Sequence, residues 1–140
     1  MGGGKSPARA NPMTLAYNID QTRRHACITG TDTVTMEGML NVMEQVAADV
    51  QFEPHFTVIL DLSEARYTAN LNDGDALAAV LGKKKGDFQN KVAVVVPSSL
   101  HLIAKLYCLL SKMAGFDKVQ PFIDMDEAET WCSASDQLPD

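Results

Sequence analysis

Residues 57–75, TVILDLSEARYTANLNDGD, begin as an apolar run and end in carboxylates, hydroxyls and amides. Asp61, Asp73 and Asp75 carry the hard oxygens that a magnesium or calcium ion takes. The longer ligand ladder of a calcium loop is missing, and Asp73 has the type and place of a helix cap, with Asp75 favourable in a first turn. Thr68 is either a phosphoacceptor or an ordinary loop threonine. A second chemical stretch is VVVPSSLH, residues 94–101. A strand that ends at a helix start offers backbone N–H groups and a positive dipole end, so Ser98 and Ser99 can help hold an anion. The alternative is that one of them caps the helix.

A coherent catalytic set does not emerge. Hydrolysis by a nucleophile needs a base and an orienting group beside it. Ser63 follows a strand without the glycines of a nucleophile elbow. Helical geometry directs His101 away from Ser98 and Ser99. His25, His55 and His101 fall in different elements, and none has the i, i+4 partner of a helical zinc motif. Cys27, Cys108 and Cys132 are far apart with no C-x-x-C pair, which fits reduced thiols in a cytoplasm. The expectation is therefore no catalytic residue, no metal and no cofactor.

Bulk properties narrow the partners. The chain has 140 residues, 46% hydrophobic and 21% charged, which suits one domain able to bury its own core. Its net charge of −6 argues against nucleic acid. The basic run Lys83-Lys84-Lys85 falls at a helix end, where it complements the dipole. Apolar runs such as Val92–Val96 are too short to span a bilayer, so no integral membrane segment is expected. The GGGKS of residues 2–6 lacks the preceding strand and earlier glycine of a phosphate-binding loop. Residues 1–12 read as a disordered or added leader, 13–135 as the domain and 136–140 as a flexible tail.

The elements that must position these residues follow from periodicity. Leu15, Tyr17 and Ile19, then Ala26 and Ile28, alternate around Gln21-Thr22 as an antiparallel hairpin. Met36, Met39, Leu40, Met43, Val46, Ala47 and Val50 share a helical face, and Asp32, Thr33 or Thr35 can cap it. FTVILDL is a strand covered on both faces, and a helix follows over about 73–84 with Leu77, Val80 and Leu81 inward. KVAVVVP is a central strand. The next helix runs from Ser99 to a stop at Gly115, and Pro121 demotes a strand at KVQPFID towards an edge or a short piece. Asp124 and Glu127 have capping-box spacing before a last helix that turns Ala128 and Trp131 inward. The order β-β-α-β-α-β-α-β-α describes an α/β domain with a mostly parallel, mixed sheet covered by helices.

Four stretches, YNIDQTRRHACITGTDTVTMEGML, FTVILDLSEARY, KVAVVVPSSLHLIAKLYCLL and VQPFIDMDEAETW, carry a resemblance over about residues 14–133. In them the chain resembles the SpoIIAA-like branch of the STAS domains, whose architecture is related to CRAL-TRIO lipid-transfer domains. The resemblance implies that fold and a binding or regulatory role. Phosphoregulated members place Asp-Ser-Ser-Gly after the strand equivalent to VILDL, where this chain has Ala69-Asn70-Leu71-Asn72. That switch is not carried over.

The helix at 99–114 is apolar on two sides, so it needs two partners. Leu102, Leu106, Tyr107 and Leu110 are candidates for an interface or an apolar pocket, with core burial, a homodimer or an apolar ligand as the second partner. The expected function is a non-catalytic, cytoplasmic binding or regulatory module acting through protein–protein contact. The alternatives are a carrier of a small apolar or lipid-like ligand, and an enzyme using the Ser98/Ser99 anion site. The candidate ligand- or anion-binding set is Ser98, Ser99, Asp61 and Thr68.

Overall fold

A computed structural model describes residues 14–68, 71–84 and 86–134. The leader 1–12, the tail 136–140, Lys85 and the Ala69-Asn70 half of the phosphorylation-motif position lie outside the described residues. Five strands run in the order β1-β2-β3-β4-β5, namely Leu15–Asp20, His25–Thr33, Thr57–Arg66, Val92–Val95 and Val119–Phe122. β1 pairs antiparallel with β2, and every later pair is parallel. The helices are α1 (Met36–Ala48), α2 (Leu71–Lys83), α3 (His101–Met113) and α4 (Met125–Ser133), with a 3₁₀ turn at Ser98–Leu100 before α3.

Strand alternation divides the core between two faces. Val58, Leu60 and Leu62 of β3 join Ala26, Ile28 and the buried side of α1, including Met39, Met43 and Val46. Ile59 points the other way, to Ala93, Val95, Phe122 and Ala128 of α4. Because strand order follows chain order, right-handed crossovers place α1, α2 and α3 on one face. α4 comes after the last strand and packs on the opposite face, against β3, β4 and β5. Full burial of a side chain such as Ile28, Ile59 or Val46 contributes about 1.5–3 kcal/mol each.

Local signals explain most boundaries. Thr35 caps α1, its Oγ1 accepting the Gly38 N–H at 3.0 Å. α3 ends in a Schellman arrangement, with Gly115 at φ 105°, its N–H on the Lys112 carbonyl and the Phe116 N–H on that of Ser111. Asp124 caps α4 by accepting the Asp126 N–H at 2.8 Å.

Three expectations change. Val50 is 96% exposed, because α1 stops at Ala48, and Val42 takes a core place instead. Asp73 does not cap α2, which starts at Leu71 and leaves Asp73 in its first turn. Neither Ser98 nor Ser99 caps a helix. The 3₁₀ turn begins after Pro97 and α3 after Leu100, both without a side-chain cap.

β5 is both an edge strand and short, the two outcomes that Pro121 allowed. The Val92 N–H binds the Lys118 carbonyl and the Val96 N–H that of Phe122. In a parallel ladder alternate residues address the same neighbour, so the backbone N–H and C=O positions of Val119, Pro121 and Ile123 point away from β4, although the Val119 side chain is buried. Pro121 has no N–H to offer there, which blunts the edge against a further strand.

Candidate functional site

The C-terminal ends of the parallel strands, where open α/β sheets usually hold ligands, are closed by a tyrosine pair. Tyr67 follows β3, and its hydroxyl donates to Asp73 Oδ2 of α2 at 2.6 Å. It also lies 3.3 Å from the Tyr107 hydroxyl of α3, and the two rings meet edge to face at 6.3 Å. Burial, followed by the bond to the Asp73 carboxylate, pushes the Tyr67 phenol far above its ordinary range. Beneath the pair lies an apolar cavity of about 70 Å³, lined by Met36, Met43, Leu60, Leu81 and Ile103 among others. An apolar cavity of ~150 Å³ is what admits a benzene-sized guest. The cavity therefore has no room for a lipid chain.

The expected ligand residues do not converge. Asp61 is half-buried on β3 and accepts both the backbone N–H and the hydroxyl of Ser63, at 3.1 and 2.7 Å. Thr68 is exposed one residue beyond Tyr67. Ser98 and Ser99 are exposed in the 3₁₀ turn. No group of three or more His, Cys, Asp or Glu side chains among the described residues could hold a metal ion.

The apolar set on α3 splits in two. Tyr107 is buried over the cavity, and Leu110 is half-buried against Gly74 of α2. Leu102 and Leu106 instead line a groove between α3 and the β5 edge, together with Leu109 and Pro121. Leu102 is 79% and Leu109 53% exposed there, while Met113 at the end of α3 is 75% exposed and Ile123, just beyond β5, 51%. Lys105, Lys112 and His101 border the groove, and no carboxylate lines it.

Comparison with known proteins places the architecture. An uncharacterized DUF3478-family protein with a SpoIIAA-like fold, from Shewanella loihica PV-4, is similar to this chain at 16% identity. The alignment covers 90% of this chain and 99% of that one, with a TM-score of 0.55. The fold of this chain is SpoIIAA-like. No family model and no curated protein matches the sequence. Among the described residues, no helix of this SpoIIAA-like domain is long and apolar enough to cross a membrane.

Burial shifts the three thiols and one histidine. Burial pushes the Cys108 thiol up to about 12 and the Cys132 thiol up to about 11, and it raises Cys27 as well. His25 starts β2 with its Nδ1 3.5 Å from the Thr57 hydroxyl. Burial, then the positive charge of Arg23, lowers its pKa below 6.5, against weaker opposing effects of Glu129 and Asp20. A histidine depressed in the folded state stays neutral there while the unfolded chain protonates. The unfolded chain then binds more protons, so stability falls as pH drops below 6.5 towards the lower folded value. Urea midpoints measured from pH 8 to 5 should show this loss, and His25→Gln should flatten that part of the profile. An unchanged profile in the variant would remove His25 from the account.

Sequence reasoning missed Tyr67, whose partners are six and forty residues away. It also missed the lysine border of the groove. The lysine spacing on α3 was visible, but the direction each face takes was not.

Proposed function

We propose that this SpoIIAA-like domain is a non-catalytic binding module with a regulatory role, and that a partner protein docks in the groove between α3 and β5. One observation carries the reading. α3 keeps Leu102, Leu109 and Met113 in solvent beside an edge strand, although its other face buries Ala104, Tyr107, Cys108 and Ser111. Exposed apolar patches rimmed by polar groups mark interaction sites.

The occupant is an amphipathic helix with acidic flanks. Lys105, Lys112 and His101 border the groove without a carboxylate, so an acidic partner is complementary. A second copy packed about α3 would bring its own two lysines towards these. The blunted edge at Pro121 favours a helix over an added strand.

A synthetic leucine/glutamate amphipathic helix is the probe, read by fluorescence anisotropy. It should bind in a salt-sensitive manner, and Leu102→Asp with Leu109→Asp should weaken binding at least about tenfold. Both side chains are exposed, so the variant should unfold at the wild-type temperature. Absence of binding overturns the acidic-helix reading. A stable homodimer in light scattering that Leu102→Asp dissolves assigns the groove to a second copy instead. A stoichiometric non-protein mass released on denaturation in native mass spectrometry would favour a ligand carrier.

A further inference from the structure

A second concavity lies at the N-terminal ends of the parallel strands and shares no lining residue with the α3–β5 groove. It is a cleft of about 430 Å³ between the β1–β2 turn, the start of β3 and the end of α4. Arg23, Arg24, His25 and His55 line it, with Asn90 and Ser133 adding an amide and a hydroxyl. Ile59 and Cys132 supply its apolar part, and Glu129 is its one carboxylate.

Three observations bear on what it holds. Neither guanidinium forms an ion pair among the described residues, in a chain whose net charge is −6. The end of α4 would oppose an anion, since a helix C-terminus is negative. Here, however, Lys91 Nζ donates to the carbonyls of Trp131 at 2.8 Å and Ala134 at 3.0 Å, which offsets that charge. Finally, Arg24 sits at φ 56°, a left-handed conformation that glycine adopts without cost. A bulky cation kept where glycine would fit better is strain placed at a ligand-sized cleft.

We infer that this cleft binds a small phosphorylated metabolite. Its phosphate lies on Arg23 and Arg24, and a hydroxyl or amino group of the ligand faces Glu129. Paired guanidiniums recognise phosphate oxygens through charge-assisted, bidentate hydrogen bonds. The limited volume suits a small molecule and excludes a folded partner.

Calorimetric titration of the full chain with inorganic pyrophosphate, with chloride held at equal ionic strength as the control, tests the assignment. Saturable one-to-one binding is expected. Loss of either guanidinium, in Arg24→Gly or Arg23→Gln, should weaken it by about tenfold or more. The glycine variant should at the same time melt about 2–5 °C higher, because the positive φ no longer carries a side chain. Non-saturable binding of pyrophosphate, or unchanged affinity in both variants, overturns the proposal. A phosphoserine peptide that binds at least tenfold tighter than pyrophosphate would replace the metabolite with a protein ligand and overturn it too.

Discussion

Lys91→Met should destabilise the domain by about 2–3 kcal/mol, the net loss of two charge-assisted hydrogen bonds and a cation–π contact after the ammonium's desolvation cost is recovered. Lys91 is buried just before β4, and its Nζ reaches the Trp131 and Ala134 carbonyls at the C-terminal end of α4. It also stands 5.3 Å from the centre of the Trp131 ring. Among the described residues the Trp131 carbonyl otherwise accepts only a long bond, 3.3 Å, from the Ala134 N–H, and the Ala134 carbonyl lies past the last turn, where a helix leaves acceptors for outside donors. Methionine keeps much of the stem's length and apolar contact, so the substitution isolates the charge. Trp131 is the chain's one tryptophan, and its fluorescence therefore reports on α4 directly. In urea the variant's fluorescence transition should move to lower denaturant and precede the far-ultraviolet transition, as α4 leaves the sheet first. A midpoint within experimental error of the wild type would show that the lysine does not hold α4.

Gly82→Leu should cost about 2 kcal/mol net, with overpacking outweighing the ~1 kcal/mol that leaving glycine gives a helix. Gly74, Ala78 and Gly82 recur every fourth residue, so they share the face of α2 that meets α3. A methyl at Gly82 would lie 2.9 Å from the Ala114 carbonyl oxygen, and one at Gly74 would lie 2.9 Å from the Tyr107 ring. The contact at Gly82 is with backbone, which cannot swing aside as a side chain can. α3 would have to move, and both the Tyr67–Tyr107 contact and the cavity beneath it depend on its position. Gly86→Ala is the control, since nothing lies within 4 Å of a methyl there. It should leave the urea midpoint unchanged or slightly raised. Equal midpoints for Gly82→Leu and the wild type would mean that the seam is looser than its spacing.

The α3–β5 groove and the basic cleft were legible in the sequence to different degrees. Two apolar sides on α3 were legible as periodicity, because every third or fourth residue returns to one face. Periodicity does not say which side the sheet takes. Tyr107 and Leu110 went inward while Leu102 went to solvent, a choice fixed by the crossover from β4 to β5. The cleft was less legible still. Arg23 and Arg24 read as the start of a strand, and only the turn at residues 21–24 puts them beside His55 and Ser133.

Serine at a strand-to-helix junction is a sound capping signal, and it failed here for a local reason. Pro97 in an extended conformation leads into a 3₁₀ turn, so the α-helix begins two residues after Ser99, with Leu100 in the capping place. Asp73 failed for a longer-range reason: Tyr67 claims its carboxylate, and α2 starts earlier.

The sequence by itself determined the element order, the mostly parallel sheet, the Asp124 cap and the Gly115 stop, and it narrowed the α1 cap to Asp32, Thr33 or Thr35. Each rests on residues within about one turn of one another, where pattern and backbone preference act. Tertiary structure alone decided that Lys91 caps a helix forty residues away, that Gly74 and Gly82 admit α3, and that Arg24 borders a cleft. Those outcomes depend on which surfaces meet once the strands are in register, and burial and charge pairing are settled only at that stage.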